Sequence, residues 1–370
     1  MIRKKENIFF IASYGDFNNL PLGGGQTAAR RLLATLRRLG YNVIAIHRHP
    51  PTSQKRFVRG LQFLFWMFFD ITFVFFILLF KSRKGSMTLY MGYMGNTLVP
   101  LEWAMSCITR FLGYTNAMYL AGGGTANVYS RSNVVLKMFE RGIVNNHKLV
   151  MTEGFENMTF VSTISSTKAA YLPNYTEEGF APQIYPQKPN DRWSFMYFGR
   201  ICKEKNILLI IDVFNIICNH YCKSYLTIIG GGPDEYCKMV DEKIQKSPYK
   251  ENITRIGRSN HDTLKQMMVG QHFYLFPSGE PREGHSNALN EAMSYGLVPI
   301  VSDNNFLPSI VGNINLVVHE MQAESYVKVI LDVIESGQYE KFSREMYERV
   351  RHNFTQDIVE KKLKIIIESL

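Results

Sequence analysis

Two carboxylates and one helix start carry the chemistry most legible in this sequence. Glu283 and Glu291 flank the run Gly284-His-Ser-Asn-Ala-Leu-Asn290. Ser286 is a good helix N-cap, the residues from about Asn287 to Tyr295 read as a helix, and Gly296 stops it. The amides of Ser286 to Leu289 then point out of a helix N-terminus, where a phosphate is favoured. A diphosphate docked there has one carboxylate on each flank. Carboxylates accept hydrogen bonds from sugar hydroxyls, so a nucleotide-diphosphate sugar suits the pattern, with one glutamate for the ribose and one for the transferred sugar. Taken alone, the same spacing also describes a capped helix with two solvated glutamates.

The elements around this stretch place it at the carboxyl end of a strand, where open α/β sheets bind ligands. Phe273–Phe276 is an apolar run closed by Pro277, and Val298–Val301 is the next strand. The same alternation occurs upstream, where strand Phe195–Phe198 precedes Arg200 and Lys205, and a helix runs from about Ile207 to Cys218. Cations at a helix start oppose its dipole, which suggests that Arg200 and Lys205 serve an anion. Leu226–Ile229 leads into Gly230-Gly-Gly-Pro233, and Ile253–Ile256 into Gly257-Arg258. The chain opens in the same way, with strand Ile8–Ala12, a loop ending Gly23-Gly-Gly25, a helix with Leu32, Leu33, Leu36 and Leu39 on one face, and strand Val43–Ile46. Bare glycines let a phosphate approach the backbone, but the dinucleotide fingerprint is missing, which counts against a dehydrogenase. Thr88–Met91, Asn116–Leu120 and Phe160–Ser162 read as further strands, and Asp357–Leu370 as an amphipathic helix.

Glu283-Gly284, Asn287-Ala-Leu289, Glu291-Ala-Met293 and Gly296-Leu-Val-Pro299 together resemble the signature of the family 4 glycosyltransferases. The resemblance extends more weakly over most of the chain. It implies an α/β GT-B fold, two Rossmann-like domains facing across a cleft, and sugar transfer with retention of configuration. On that footing Glu283, Arg200 and Lys205 are the catalytic residues. Glu291, Gly284, His285, Ser286, Asn287, Ala288 and Arg258 bind the donor, and Gly24 and Gly25 face its diphosphate. Gly122 and Gly123 lie on the acceptor side, where many relatives carry a histidine that this sequence lacks. The implied divisions are an acceptor domain at 1–175, a linker at 176–191 with three prolines, a donor domain at 192–350, and a tail helix at 351–370 crossing back. With Arg200, Lys205 and the helix dipole on the leaving diphosphate, no metal or other cofactor is expected, and no Asp-x-Asp sequence occurs.

Length and charge set the wider limits. A chain of 370 residues suits two domains, and 46% hydrophobic content fills real cores. The net charge of +10 is uneven, since residues 1–180 hold 20 Lys+Arg against 9 Asp+Glu. The partner of the first half is therefore anionic, either a phosphate, a pyrophosphate lipid or a membrane face. No basic–aromatic module for nucleic acid is present. The five cysteines are scattered, which fits a reducing cytosol, and Cys218, His220 and Cys222 lack a second ligand pair for zinc. No signal peptide is read, because the apolar run after Arg3–Lys5 is too short.

Leu61–Phe80 is apolar at seventeen of 20 positions, with Lys55, Arg56 and Arg59 before it and Lys81, Arg83 and Lys84 after it. It reads as a membrane span, a buried core helix, or a helix with one face in the lipid interface. Spanning would separate strands of one sheet, and the interfacial reading is preferred. The expected protein is cytoplasmic and peripheral on the inner membrane face, with an anionic membrane surface and a lipid-linked or saccharide acceptor as partners. The alternative is a peripheral protein that binds nucleotide-sugar or phospholipid without catalysis.

Overall fold

The computed structural model describes residues 7–19, 24–53, 55–81, 83–94 and 99–370. Gly23 and the basic run Arg3–Lys5 lie outside the described residues. The chain forms two compact units, one of residues up to Pro173 together with Glu360–Leu370, the other Asn174–Val359.

In the first unit the strands are β1 (Asn7–Ala12), β2 (Asn42–His47), β3 (Ser86–Gly92), β4 (Thr115–Leu120), β5 (Leu149–Thr152) and β6 (Lys168–Tyr171). They form one parallel sheet in the order β2-β1-β3-β4-β5-β6. Five of the six residues of β1 and all seven of β3 are buried, as expected for strands covered by helices on both faces. The strand order reverses between β1 and β3.

The second unit repeats the plan with β7 (Trp193–Phe198), β8 (Ser224–Ile229), β9 (Ile253–Ile256), β10 (Phe273–Phe276), β11 (Val298–Ser302) and β12 (Val317–Val318), in the order β12-β11-β10-β7-β8-β9. Its core joins Phe195, Phe214, Phe273, Leu289 and Ile300. The order reverses between β10 and β7, which pair in parallel through Phe273 with Phe195. A crevice outside the carboxyl ends of these two strands is where such a sheet takes a ligand.

Two expectations change, and one alternative for the apolar segment is removed. Phe160–Ser162 is not a strand but lies in the helix Phe155–Ile164. Its buried residues Asn157, Phe160 and Val161 are spaced for one helix face, and a three-residue apolar run does not separate the two periods. The strand of that region is β5, which ends three residues before this helix begins. Second, residues 176–191 do not form a free linker. Thr176 bridges to Thr355, Phe180 enters the core, and Lys188 Nζ donates to the carbonyls of Gln271 and Tyr295 at 2.7 and 2.9 Å. Three prolines signalled irregular backbone there, but not its packing. The apolar segment lies in the helix Arg56–Leu79, where only Asp70, Val74 and Leu78 are buried. Phe65 and Phe68 are 63% and 72% exposed, and Phe57, Leu61, Leu64 and Phe76 are exposed as well. A core helix would bury most of these groups, so the core reading fails.

Candidate active site

The two loops beyond the switch point of the second sheet supply the site. After β7 the chain passes Gly199 and Arg200, makes a short 3₁₀ turn at Lys203–Lys205, and enters the helix Ile207–His220 through Asn206 in the left-handed conformation (φ 51°). Lys205 thus sits two residues ahead of the helix, just before its N-cap Asn206, rather than on it. The backbone of this loop is held from both sides. Asn206 Nδ2 donates to the Pro277 carbonyl at 2.9 Å, and the Gly279 amide to the Glu204 carbonyl at 2.7 Å. Behind it the turn after β8 comes so close that a Cβ on Gly232 would stand 1.6 Å from the Ile201 carbonyl oxygen, and one on Gly230 (φ +143°) 1.8 Å from that of Gly199. Only glycine fits at either position.

After β10 the chain carries Ser278, Glu280 and Glu283. Lys205 Nζ pairs with Glu283 Oε2 and donates to Ser278 Oγ at 3.2 Å, while Ser278 donates to the same Oε2. Lys205 and Glu283 are each 8% exposed and Ser278 is fully buried. The ammonium also lies 4.9 Å from the Phe276 ring centroid. Arg200 is 61% exposed at its side chain and pairs with Glu280 at 2.8 Å. Its carbonyl accepts from Tyr197 at 2.7 Å, and burial pushes that phenol well above its usual pKa, so it stays a donor. Asn304 fixes the loop further by donating to the carbonyls of Ser278 and Glu280.

The helix Asn287–Ser294 begins four residues beyond Glu283, with Ser286 Oγ accepting from the Leu289 amide at 3.3 Å. Gly284, Asn287 and Ala288 are partly exposed around its first turn, and Glu291 is buried on it. His285 is placed differently from its neighbours, because its ring is buried, meets Asn290 Oδ1 at 3.2 Å and packs edge-on against Phe354. Its carbonyl accepts from Asn174 Nδ2. Arg258, beyond β9, is exposed and lies against Gly231.

In the first unit, Gly24 opens the helix Gly24–Arg38, and a Cβ on Gly25 would stand 1.9 Å from the Tyr93 hydroxyl oxygen. Gly122 (φ +80°) and Gly123 follow β4, with the Gly122 carbonyl accepting from Asn157. Sequence reasoning missed Ser278 and Glu280. Their only signal was their place in the Pro277-Ser-Gly-Glu280 run directly after a buried strand. Among the described residues no cluster of three or more His, Cys, Asp or Glu could hold a metal ion.

The chemistry of the second-unit site is a buried cation and a carboxylate in one network at a sheet's switch point, beside a helix N-terminus. Lys205 has three N–H donors, and two are used by Ser278 and Glu283. Glu283 Oε1 has no protein partner among the described residues. One ammonium donor and one carboxylate oxygen therefore remain for a phosphate and a hydroxyl.

Fold and sheet topology define a GT-B protein. Sucrose-phosphate synthase from Thermosynechococcus elongatus superposes with a TM-score of 0.75 at 15% identity, over 99% of each chain. HepE of Anabaena, solved in complex with UDP, gives 0.70 at 12% identity over 99% of this chain and 100% of that one. The sequence match lies mainly in the second unit, since residues 184–353 match the family model of glycosyl transferases group 1. The gpi3 subunit of phosphatidylinositol N-acetylglucosaminyltransferase from Schizosaccharomyces pombe is 28% identical over 183 residues, 48% of this chain. The match spans 38% of that relative's length.

Proposed function

We propose that this protein is a glycosyltransferase that moves a hexose from a nucleotide-diphosphate sugar to a lipid-linked saccharide acceptor, with retention of configuration. The observation that carries the reading is the Lys205–Ser278–Glu283 network beyond β7 and β10, beside the N-terminus of helix Asn287–Ser294. A leaving diphosphate gathers negative charge as the sugar departs. Lys205, Arg200 and the helix amides meet that charge with fixed donors, so no metal is required. Glu283 positions the transferred sugar, and Glu291 binds the ribose. The match to glycosyl transferases group 1, and HepE's capture with UDP, support the donor class. Release of nucleotide on adding UDP- or GDP-sugars and a membrane lipid extract tests the reading. Turnover that survives chelator is expected, whereas binding without release would favour a non-catalytic binder.

The helix Arg56–Leu79 supports a place on the inner face of the cytoplasmic membrane and a role in cell-surface polysaccharide assembly. Its exposed aromatic groups suit the headgroup boundary, where each fully buried one is worth about 1.5–3 kcal/mol. Lys81, Arg83 and Lys84 follow it in exposed positions, and each adds about 1 kcal/mol on an anionic surface. The gpi3 relative's name indicates a lipid acceptor, in keeping with this placement. The protein is expected to cosediment with anionic vesicles and to dissociate partly in high salt. Changing the three cations to serine should weaken binding with no change in melting temperature. A wild-type protein that stays in the supernatant at low salt would contradict the interfacial reading, and release by detergent alone would point to spanning.

A further inference from the structure

In the first unit the connections from β2 to β3, β3 to β4 and β4 to β5 all run the same way across the sheet. Right-handed crossovers then place the helices Arg56–Leu79, Val99–Phe111 and Val134–Asn146 on one face of it. The three pack side by side in that order. Trp103 crosses the second seam. Its ring meets that of Phe139 with centroids 5.0 Å apart, and a Cβ on Gly142 would stand 2.8 Å from its Nε1.

The exposed apolar surface of the first helix has a counterpart on the other two. Trp103 and Phe111 are exposed on the helix Val99–Phe111, Phe111 by 82%. At the start of the helix Val134–Asn146, Val134 and Met138 are 74% and 68% exposed, and Val135 is exposed as well. One such side chain in water is ordinary. An apolar face spread over neighbouring helices marks a partner, and an indole suits the headgroup level of a bilayer.

The charges of this stretch say which partner. Residues 51–150 hold 11 Lys+Arg and only three carboxylates, Asp70, Glu102 and Glu140. Each of the three is at most 2% exposed. Asp70 meets His49 Nδ1 at 2.7 Å and accepts from the His49 amide at 2.9 Å, and Glu102 meets Arg48 at 3.2 Å. The cations point the other way, with Arg110, Arg131 and Arg141 exposed on or beside the second and third helices. The next exposed carboxylate is Glu156, on the helix Phe155–Ile164. A folded protein surface presents both signs of charge, whereas an anionic lipid surface presents one and attracts each cation near it.

We propose that this whole face docks on an anionic bilayer, and that Trp103, Phe111, Val134, Val135 and Met138 form a second footprint beside the helix Arg56–Leu79. The proposal rests on the interfacial reading of that helix given above. A single helix in the interface is free to roll about its axis, but footprints on neighbouring helices fix the orientation of the unit. The sheet then lies parallel to the bilayer, about one helix diameter, or about 10–12 Å, from it.

The test uses the full chain and vesicles of phosphatidylglycerol with phosphatidylcholine. Val134→Ser, Val135→Ser and Met138→Ser together should weaken vesicle binding by roughly 10-fold or more at an unchanged melting temperature, and so should Phe111→Ser combined with Trp103→Ser. Arg131→Ser with Arg141→Ser should weaken binding to these vesicles by roughly 10-fold and leave binding to phosphatidylcholine alone unchanged. Independently, Trp66→Phe with Trp193→Phe leaves Trp103 as the sole indole, and lipid brominated along its acyl chains should quench its fluorescence. Wild-type affinity in the serine variants, or an unquenched Trp103 on vesicle-bound protein, would overturn the proposal and leave the first helix to dock alone. A lipid-free dimer that the serine variants split would overturn it in favour of a second copy on this face. A wild-type protein that binds no vesicles would overturn the underlying interfacial reading instead.

Discussion

Lys205→Ala is expected to lower turnover by roughly 10²-fold or more, the usual effect of removing a preorganised donor to developing charge. Lys205 is held for that role by Ser278, Glu283 and the ring of Phe276. The same variant leaves Glu283 buried without its cation, and breaking such a pair costs about 3–5 kcal/mol. A fall in melting temperature should therefore accompany the fall in rate. The double variant Lys205→Met with Glu283→Gln separates the two effects. It removes both charges, so stability should largely return while turnover stays low. Arg200→Ala should lose turnover to a similar degree with little loss of stability, because its pair with Glu280 is largely exposed. Normal turnover in either single variant would remove the phosphate assignment.

The two glutamates should fail in different ways. Glu283 lies in the Lys205 network, so Glu283→Ala should lower kcat by roughly 10²-fold or more with a smaller effect on KM. Glu291 lies on the helix Asn287–Ser294, and its contact with a ribose would be equal in ground and transition states. Glu291→Ala should therefore raise the donor KM by about 10–100-fold, the worth of one hydrogen bond to a charged group, with kcat nearly unchanged. Steady-state kinetics at several donor concentrations decides this. The opposite pattern would mean that the two roles are exchanged.

Much of this was legible in the sequence because strands buried on both faces leave continuous apolar runs. Ile8–Ala12, Phe195–Phe198 and Phe273–Phe276 all fall within observed strands. The cap at Ser286 was readable because its side chain acts locally on the Leu289 amide. What escaped depended on partners distant in sequence. The Lys205–Glu283 pair joins residues 78 positions apart, and the His49–Asp70 pair joins a strand end to the middle of a helix. Neither is a spacing motif. β12 was missed because two residues give no period, and Phe160–Ser162 was misassigned because an apolar run of that length fits a helix face equally well. For the helix Arg56–Leu79, composition fixed the element, but only the fold shows which side chains are exposed.

The central claim is that the second unit binds a nucleotide-diphosphate sugar through Lys205 and Glu283, and thermal unfolding measures this most directly. Saturating UDP-glucose or GDP-mannose should raise the melting temperature, by about 2.7 kcal/mol of added stability at a hundred times the dissociation constant. The double variant Lys205→Met with Glu283→Gln should lose most of that shift. No shift of the wild-type protein by any nucleotide-sugar, or an undiminished shift in the double variant, would contradict the account.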